Sequence, residues 1–237
     1  MAMFSRRVSS ASSRKRFLLL SASLLCLISA LPFFSDNAAG MMALLALSST
    51  VLMLAVYAVS DTHSGLVVGL VLGVPTLVFS WLSLMVGGFA VDVLCFSYGT
   101  LFHGYVTVKI LLHVLQQRRI TEDTLSAAVV VYLMMGVAWA WAYNLVDVVL
   151  PGSFQSAGAL ADGTFPWHEL LYFSYVALTT LGFGDINPVS RVARSLAILQ
   201  GISGVLYVAV LVARLVGMYI SQRIEGDANG SRASGDS

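Results

Sequence analysis

The chain has 237 residues, 58% of them hydrophobic and 11% charged, with a mean hydropathy of +0.85 and a formal net charge of +1. A soluble fold of this size carries roughly a quarter charged residues, so the composition excludes an ordinary soluble domain and demands surface that never meets water. The balanced charge gives no case for nucleic-acid binding, and Cys26 and Cys95 lack CxxC or metal-ligand spacing, so neither a disulfide framework nor a zinc site is expected.

Residues 1–16 form a basic segment carrying Arg6, Arg7, Arg14, Lys15 and Arg16. A bilayer core about 30 Å thick needs about 20 apolar helical residues. Six runs qualify: Phe17–Phe34, Met41–Val59, Leu66–Val86, Phe89–Leu115, Leu125–Leu150 and Val192–Tyr219. Polar or flexible breaks separate them at Ser35-Asp36-Asn37, Ser60–His63, Gly87-Gly88 and Gln116–Thr124. None alternates as a barrel strand would, and lipid offers no partner to an exposed amide, so the expected fold class is an all-α membrane protein with six transmembrane helices. Residues 17–115 then form a four-helix transmembrane domain, 116–124 a cytoplasmic linker, and 125–219 a second unit. Arg118 and Arg119 follow the fourth run and Arg223 the sixth, so with six spans every flanking cluster falls on one side. The positive-inside rule makes that side cytoplasmic, with both termini inside, and predicts a multi-pass protein of the cell membrane, in the first instance a bacterial inner membrane. The basic start and first run also fit a cleaved signal peptide ending near Asn37-Ala38-Ala39-Gly40, although the run exceeds the usual signal core of about 7–15 residues. Residues 220–237, rich in Gly, Ser, Asp and Ala beyond Glu225, are expected to be a disordered cytoplasmic tail.

Between the last two runs the chain is apolar but interrupted. Pro166 suits a helix's first turn, and the stretch from there to Thr179 is too short to cross a bilayer, so it must enter and return. Non-helical backbone survives at membrane depth only where protein buries it or where it lines a watery path. In Thr179-Thr180-Leu181-Gly182-Phe183-Gly184-Asp185 the glycines permit positive φ, so that successive carbonyls can face one way and replace a cation's water shell.

That segment resembles the selectivity-filter signature of potassium channels, Thr-Thr-Val-Gly-Tyr-Gly-Asp, and the resemblance covers about Leu125–Tyr219; the first four runs match only in number and spacing. It implies that 125–219 is a pore domain of outer helix, re-entrant pore helix, filter and inner helix. It further implies that Thr180, Leu181, Gly182 and Phe183 offer carbonyls to K+, with the Thr180 hydroxyl completing the innermost position and Gly184 closing the filter. Thr179, Asp185, Tyr172 and Phe173 become filter support. Leu181 departs from Val, which a carbonyl donor tolerates; Phe183 departs from Tyr and loses the hydroxyl that commonly ties the filter to the pore helix. Phe173 and Ala177 occupy positions that offer polar partners in Tyr-type filters, so packing is expected to replace hydrogen bonding. Tyr172 stands where the family often has a Trp and is placed to bond Asp185 or to pack as core.

Gly204, 20 residues after Gly184, has the family's spacing for an inner-helix hinge, with close helix packing alongside Gly201 as the alternative. Counted in fours from Gly204, Val208, Val212 and Val216 form an apolar inner gate that closes by dewetting. Arg214 lies off that stripe and is expected to snorkel to lipid headgroups. Asp36, Asp147, Asp162, Glu169 and Asp185 outweigh Arg191 and Arg194 around the outer mouth, which should concentrate cations. His168, beside Glu169, either tunes that mouth or is structural.

A voltage sensor needs about three or four cationic residues in the fourth span. That run has Lys109 alone, near its inner end and four residues before His113, while Asp92 sits near the outer end, so steep voltage gating is excluded on charge count. No catalytic constellation, phosphate loop or HExxH motif occurs, and no ligand-sensing domain follows the last run, so neither an enzyme nor a cofactor is expected. One filter segment per chain implies a homotetramer, with K+ as the permeant ion, the lipid bilayer as solvent and no nucleic-acid partner. A non-selective cation channel and a non-conducting regulatory or scaffold subunit are the alternatives.

Overall fold

The computed structural model describes residues 2–34, 38–60, 62–117, 120–156 and 165–235, without the side chains of 2–14, 32, 38 and 224–235. Asp36, Asp162, Arg118 and Arg119, and the side chains of Arg6, Arg7 and Arg14, lie outside what is described.

The elements in chain order are α1 (Ala2–Phe34), α2 (Ala38–Val59), α3 (His63–Met85), α4 (Phe89–Gln116), α5 (Glu122–Val149), β1 (Phe154–Ser156), α6 (Trp167–Leu178), β2 (Ile186–Pro188) and α7 (Arg191–Gly235). Local chemistry sets several boundaries. Thr62 caps α3 by accepting from the Gly65 amide at 3.0 Å. Thr121 caps α5 the same way with Thr124 at 3.2 Å, and Glu122 and Asp123 then sit on the positive end of the helix dipole. Gly87 and Gly88, at φ +66° and +107°, turn the chain from α3 into α4.

The protein is mostly helical. Among the described residues α2, α3, α5 and α7 are long and apolar enough to cross a membrane. The other two expected spans lie in α1 and α4; α4 is 28 residues long but interleaves Asp92, His103, Thr107, Lys109 and His113 with its apolar positions.

Helix α5 is the shared wall of the molecule. One side packs on α4 and α1, within a core that includes Leu20, Leu24, Phe102, Val106, Val130 and Met134, all fully buried. The other side packs on α6 and α7 around a smaller cluster of Tyr143, Phe154, Leu170, Phe173 and Ile186. The strands β1 and β2 pair antiparallel, Gln155 opposite Asn187, and tie the segment after α5 to the segment after Asp185.

The expectation of a disordered tail at 220–237 is corrected for 220–235: α7 continues as helix to Gly235. No proline follows Pro188, and extending an existing helix avoids the unfavourable nucleation step.

Candidate functional site

Helix α6 is anchored at its start by α5. Asp147, 2% exposed, accepts from the Phe165 amide at 2.9 Å, and Pro166 sits at the N-cap position. Asp147 is thus not a mouth carboxylate as its sequence position suggested; it is buried, holding the entry to α6. At its other end α6 closes with paired main-chain bonds, Thr180 N–H to Ala177 O at 3.2 Å and Leu181 N–H to Val176 O at 3.0 Å. This is a Schellman cap with Thr180 at the left-handed position that glycine usually fills.

Thr180 has φ +59°, Gly182 +60° and Gly184 +79°, and no other non-glycine residue described has positive φ. Every second residue of the segment is therefore left-handed. For a β-branched residue this conformation costs about 1–2 kcal/mol, and such strain persists where the surroundings over-determine it. A glycine would cap α6 without that cost, so what Thr180 adds is its hydroxyl.

Beneath the cap lies a buried polar network. Tyr143 Oη donates to Gln200 Oε1 at 2.5 Å, Gln200 Nε2 donates to Ser174 O and Oγ at 2.9 and 2.8 Å, and Ser174 Oγ donates to Gly136 O at 2.6 Å. Tyr143, Ser174 and Gln200 are each fully enclosed. Tyr175 Oη also donates to Leu133 O at 2.8 Å, so α6 is fastened to α5 and α7 from two sides. Gln200 and Ser174 are site residues that no motif in the sequence marks; the available signal was a glutamine inside an apolar run of spanning length, since a lone amide at membrane depth needs a partner.

The outer end is held differently. Tyr172 Oη donates to Asp185 Oδ2 at 2.6 Å, Asp185 Oδ1 accepts from the Ile186 amide at 3.0 Å, and Asn187 Nδ2 donates to Gly184 O at 2.6 Å. The Tyr172 bond is the main cause holding the Asp185 carboxyl below the usual carboxylate range. Phe173 packs edge-on against Tyr143 and Phe154, with ring centres 5.1 and 5.4 Å away, and Ala177 lies against the same cluster. Leu181 and Phe183 are 61% and 66% exposed in the single chain, and Phe183 has no ring contact among the described residues.

Gly204 is buried against the end of α6: a Cβ there would stand 2.6 Å from the Leu178 carbonyl oxygen. Its place is a close helix contact, the alternative to the hinge. Val208, Val212 and Val216 are about half exposed in the single chain, so the close packing of Gly204 against α6 does not continue along them. The packed face runs instead through Tyr207, which donates to Ala128 O at 2.6 Å, to Arg214. Arg214 does not snorkel: it donates to Val114 O at 2.9 Å, to Gln117 O at 2.7 Å and to Leu115 O, covering the carbonyl end of α4. His113 meets the Phe17 ring, Gln117 at 3.2 Å and Asp123 at 3.8 Å, and Asp92 accepts from Ser83 Oγ at 2.5 Å. His168 Nε2 lies 3.9 Å from Glu169 Oε1. Among the described residues no three His, Cys, Asp or Glu converge on a metal position.

Residues 124–221 match a protein family described as "Ion channel". Over 85 residues the chain is 36% identical to "Two pore potassium channel c" of Oryza sativa subsp. japonica, a stretch that is 36% of this chain and 16% of that protein. Over 115 residues it is 30% identical to "Protein LctB" of Bacillus caldotenax, covering 48% of this chain and 85% of that protein. No solved structure matches the chain significantly.

Proposed function

The chain belongs to the pore-loop potassium channel family and is a membrane protein of an ion-channel rather than an enzyme class, and from that premise we propose that it is one subunit of a potassium-selective tetrameric channel. In this proposal α1 to α5 and α7 are six spans, α6 is the re-entrant pore helix, and both termini are cytoplasmic. Residues 1–16 and 116–124 are then the cytoplasmic start and linker, 17–115 a four-helix domain, and 125–219 the pore domain. Thr180, Leu181, Gly182, Phe183 and Gly184 are the selectivity filter, in which the carbonyls of the first four coordinate K+ with the Thr180 hydroxyl below them, and Thr179, Tyr172, Phe173 and Asp185 hold the geometry.

The observation that carries the proposal is the left-handed backbone at Thr180, Gly182 and Gly184, strained at a threonine where a glycine would be free of strain. Fourfold assembly is supported by what one chain leaves open: Leu181 and Phe183, and on α7 Ile198, Ile202 and Val205, are each more than half exposed. Conduction is passive and not steeply voltage-dependent, since Lys109 is the lone Lys or Arg of α4. Val208, Val212 and Val216 form a hydrophobic gate in the assembled pore.

The test is the reversal potential of purified protein in planar bilayers with K+ and Na+ on opposite sides. A potential near the K+ equilibrium value is expected. A value near zero would favour the second reading, a non-selective cation channel, for which the exposed and untethered Phe183 is the motive. No current from well-folded protein would favour a non-conducting subunit.

A further inference from the structure

A cavity of about 100 Å³ lies between the four-helix half and α5, away from Thr179–Asp185. Its wall is largely apolar, with Leu27, Leu52, Leu77, Phe96 and Leu171 among the lining residues, but it also holds His103 and Asn144. Both are 3% exposed. His103 Nδ1 lies 2.8 Å from Gly99 O, and a carbonyl only accepts, so Nδ1 carries the proton and the neutral ring keeps a lone pair on Nε2. Asn144 donates from Nδ2 to Ala140 O at 2.8 Å, which leaves Oδ1 as acceptor. Among the described residues neither Nε2 nor Oδ1 has a hydrogen-bond partner. The serines of the wall are already engaged: Ser48 and Ser49 donate to Leu45 O, and Ser80 donates to Thr76 O.

Two free lone pairs in an apolar chamber select a ligand. An anion meets no donor able to neutralise it, and a cation meets no carboxylate, so both lose their hydration without compensation. A pure hydrocarbon leaves the acceptors unpaired. The size is also bounded: an apolar cavity of about 150 Å³ admits benzene, so one of about 100 Å³ takes roughly four to six non-hydrogen atoms. We propose that this cavity is a binding site for a small neutral alcohol, its hydroxyl donating to His103 Nε2 or Asn144 Oδ1 and its hydrocarbon part lying among the leucines. The site also touches Trp167 and Leu171 of α6, so an occupant rests against the helix that leads into Thr179–Asp185.

Trp141 and Trp167 line the cavity, which provides a readout. Tryptophan emission of the full-length purified protein is titrated with 3-bromo-1-propanol and with 1-bromobutane, probes of equal heavy-atom count that differ in the hydroxyl. Saturable quenching by the bromoalcohol, reversed by 1-propanol, is expected, with only a linear, partition-like response to bromobutane. His103→Phe keeps a ring stacked on Trp141, now 5.2 Å from that of His103, but removes the acceptor; it should weaken bromoalcohol binding about fivefold and leave the bromobutane response unchanged. Asn144→Leu gives the same comparison if His103→Phe does not fold. Linear quenching by both probes would mean that the cavity holds water only and would overturn the proposal. Saturation by bromobutane at the same concentration as the alcohol, or wild-type affinity in both variants, would overturn it as well.

Discussion

The inner and outer ends of Thr179–Asp185 both lean on α6, yet the inner end is held by main-chain bonds over an enclosed amide network and the outer end by exposed side chains. At the inner end, the Thr180 and Leu181 amides close the helix, and Gln200, Ser174 and Tyr143 lie beneath it, fully buried. At the outer end, the Tyr172–Asp185 and Asn187–Gly184 bonds meet solvent. Buried hydrogen bonds are costly to lose because their partners have nowhere else to turn, whereas exposed ones exchange with water at small cost. The inner end should therefore set whether the segment keeps its shape, and the outer end how it responds to salt and pH.

The largest expected effect breaks the backbone common to both ends. Gly182→Ala or Gly184→Ala places a Cβ on a left-handed residue with open space around it, so the cost is conformational and not steric. Loss of ion flux from liposomes is expected, with the protein still folded by size exclusion; flux at the wild-type level would remove this segment from the conduction path. Next comes the buried network. Gln200→Leu strands the Tyr143 hydroxyl and removes both amide bonds to Ser174, and should cost about 2–3 kcal/mol in stability, read as a lowered thermal unfolding midpoint. An unchanged midpoint would mean that the inner end does not depend on the network.

A smaller effect of opposite sign sharpens the inner end further. Thr180→Gly relieves a left-handed threonine and should raise stability by about 1 kcal/mol while weakening discrimination between K+ and Na+, because the hydroxyl is lost. A gain in stability with intact discrimination would make Thr180 a cap and nothing more.

The outer end should show the mildest changes. Tyr172→Phe and Asp185→Ala remove the same bond, so each should reduce conductance by a similar factor of about two to five, and the double variant should be no worse than either alone. Were Asp185 acting only through its field, Asp185→Asn would lose more at low salt than at high salt, and Tyr172→Phe would lose little. The pH dependence has a definite sign. The folded carboxyl titrates below its ordinary value, so the bond's contribution is complete above that value and disappears as pH falls through the lowered one. Acidifying the outer side from about pH 7 to pH 5 should thus leave conductance unchanged in the wild type, with a decline only below about pH 4. A decline centred near pH 6 would point to another group, with His168 the first to test by His168→Gln.

What can be read ahead of the fold depends on the range over which a feature acts. Apolar runs of spanning length, the Thr62 and Thr121 caps, Pro166 at the start of α6 and the glycines at 182 and 184 are local features, and each acts within a few residues of itself. Even the Tyr172–Asp185 pair could be anticipated, because α6 and the loop after it bring the two together over 13 positions. Gly204 could not be assigned between hinge and packing until the Leu178 carbonyl was placed against it.

What the sequence determined by itself was therefore the solvent of the protein, the helices that solvent demands and the backbone freedom of the seven-residue segment, since hydropathy, capping and φ preferences are properties of residues and their neighbours. Tertiary structure alone decided which polar groups meet. Arg214 reaches carbonyls about 100 positions earlier, Gln200 bonds Tyr143 across 57 positions, and Asp147 leaves the mouth to hold an amide 18 positions on. A polar group in an apolar interior must find a partner, but which one depends on how the helices cross, and side-chain packing fixes that crossing.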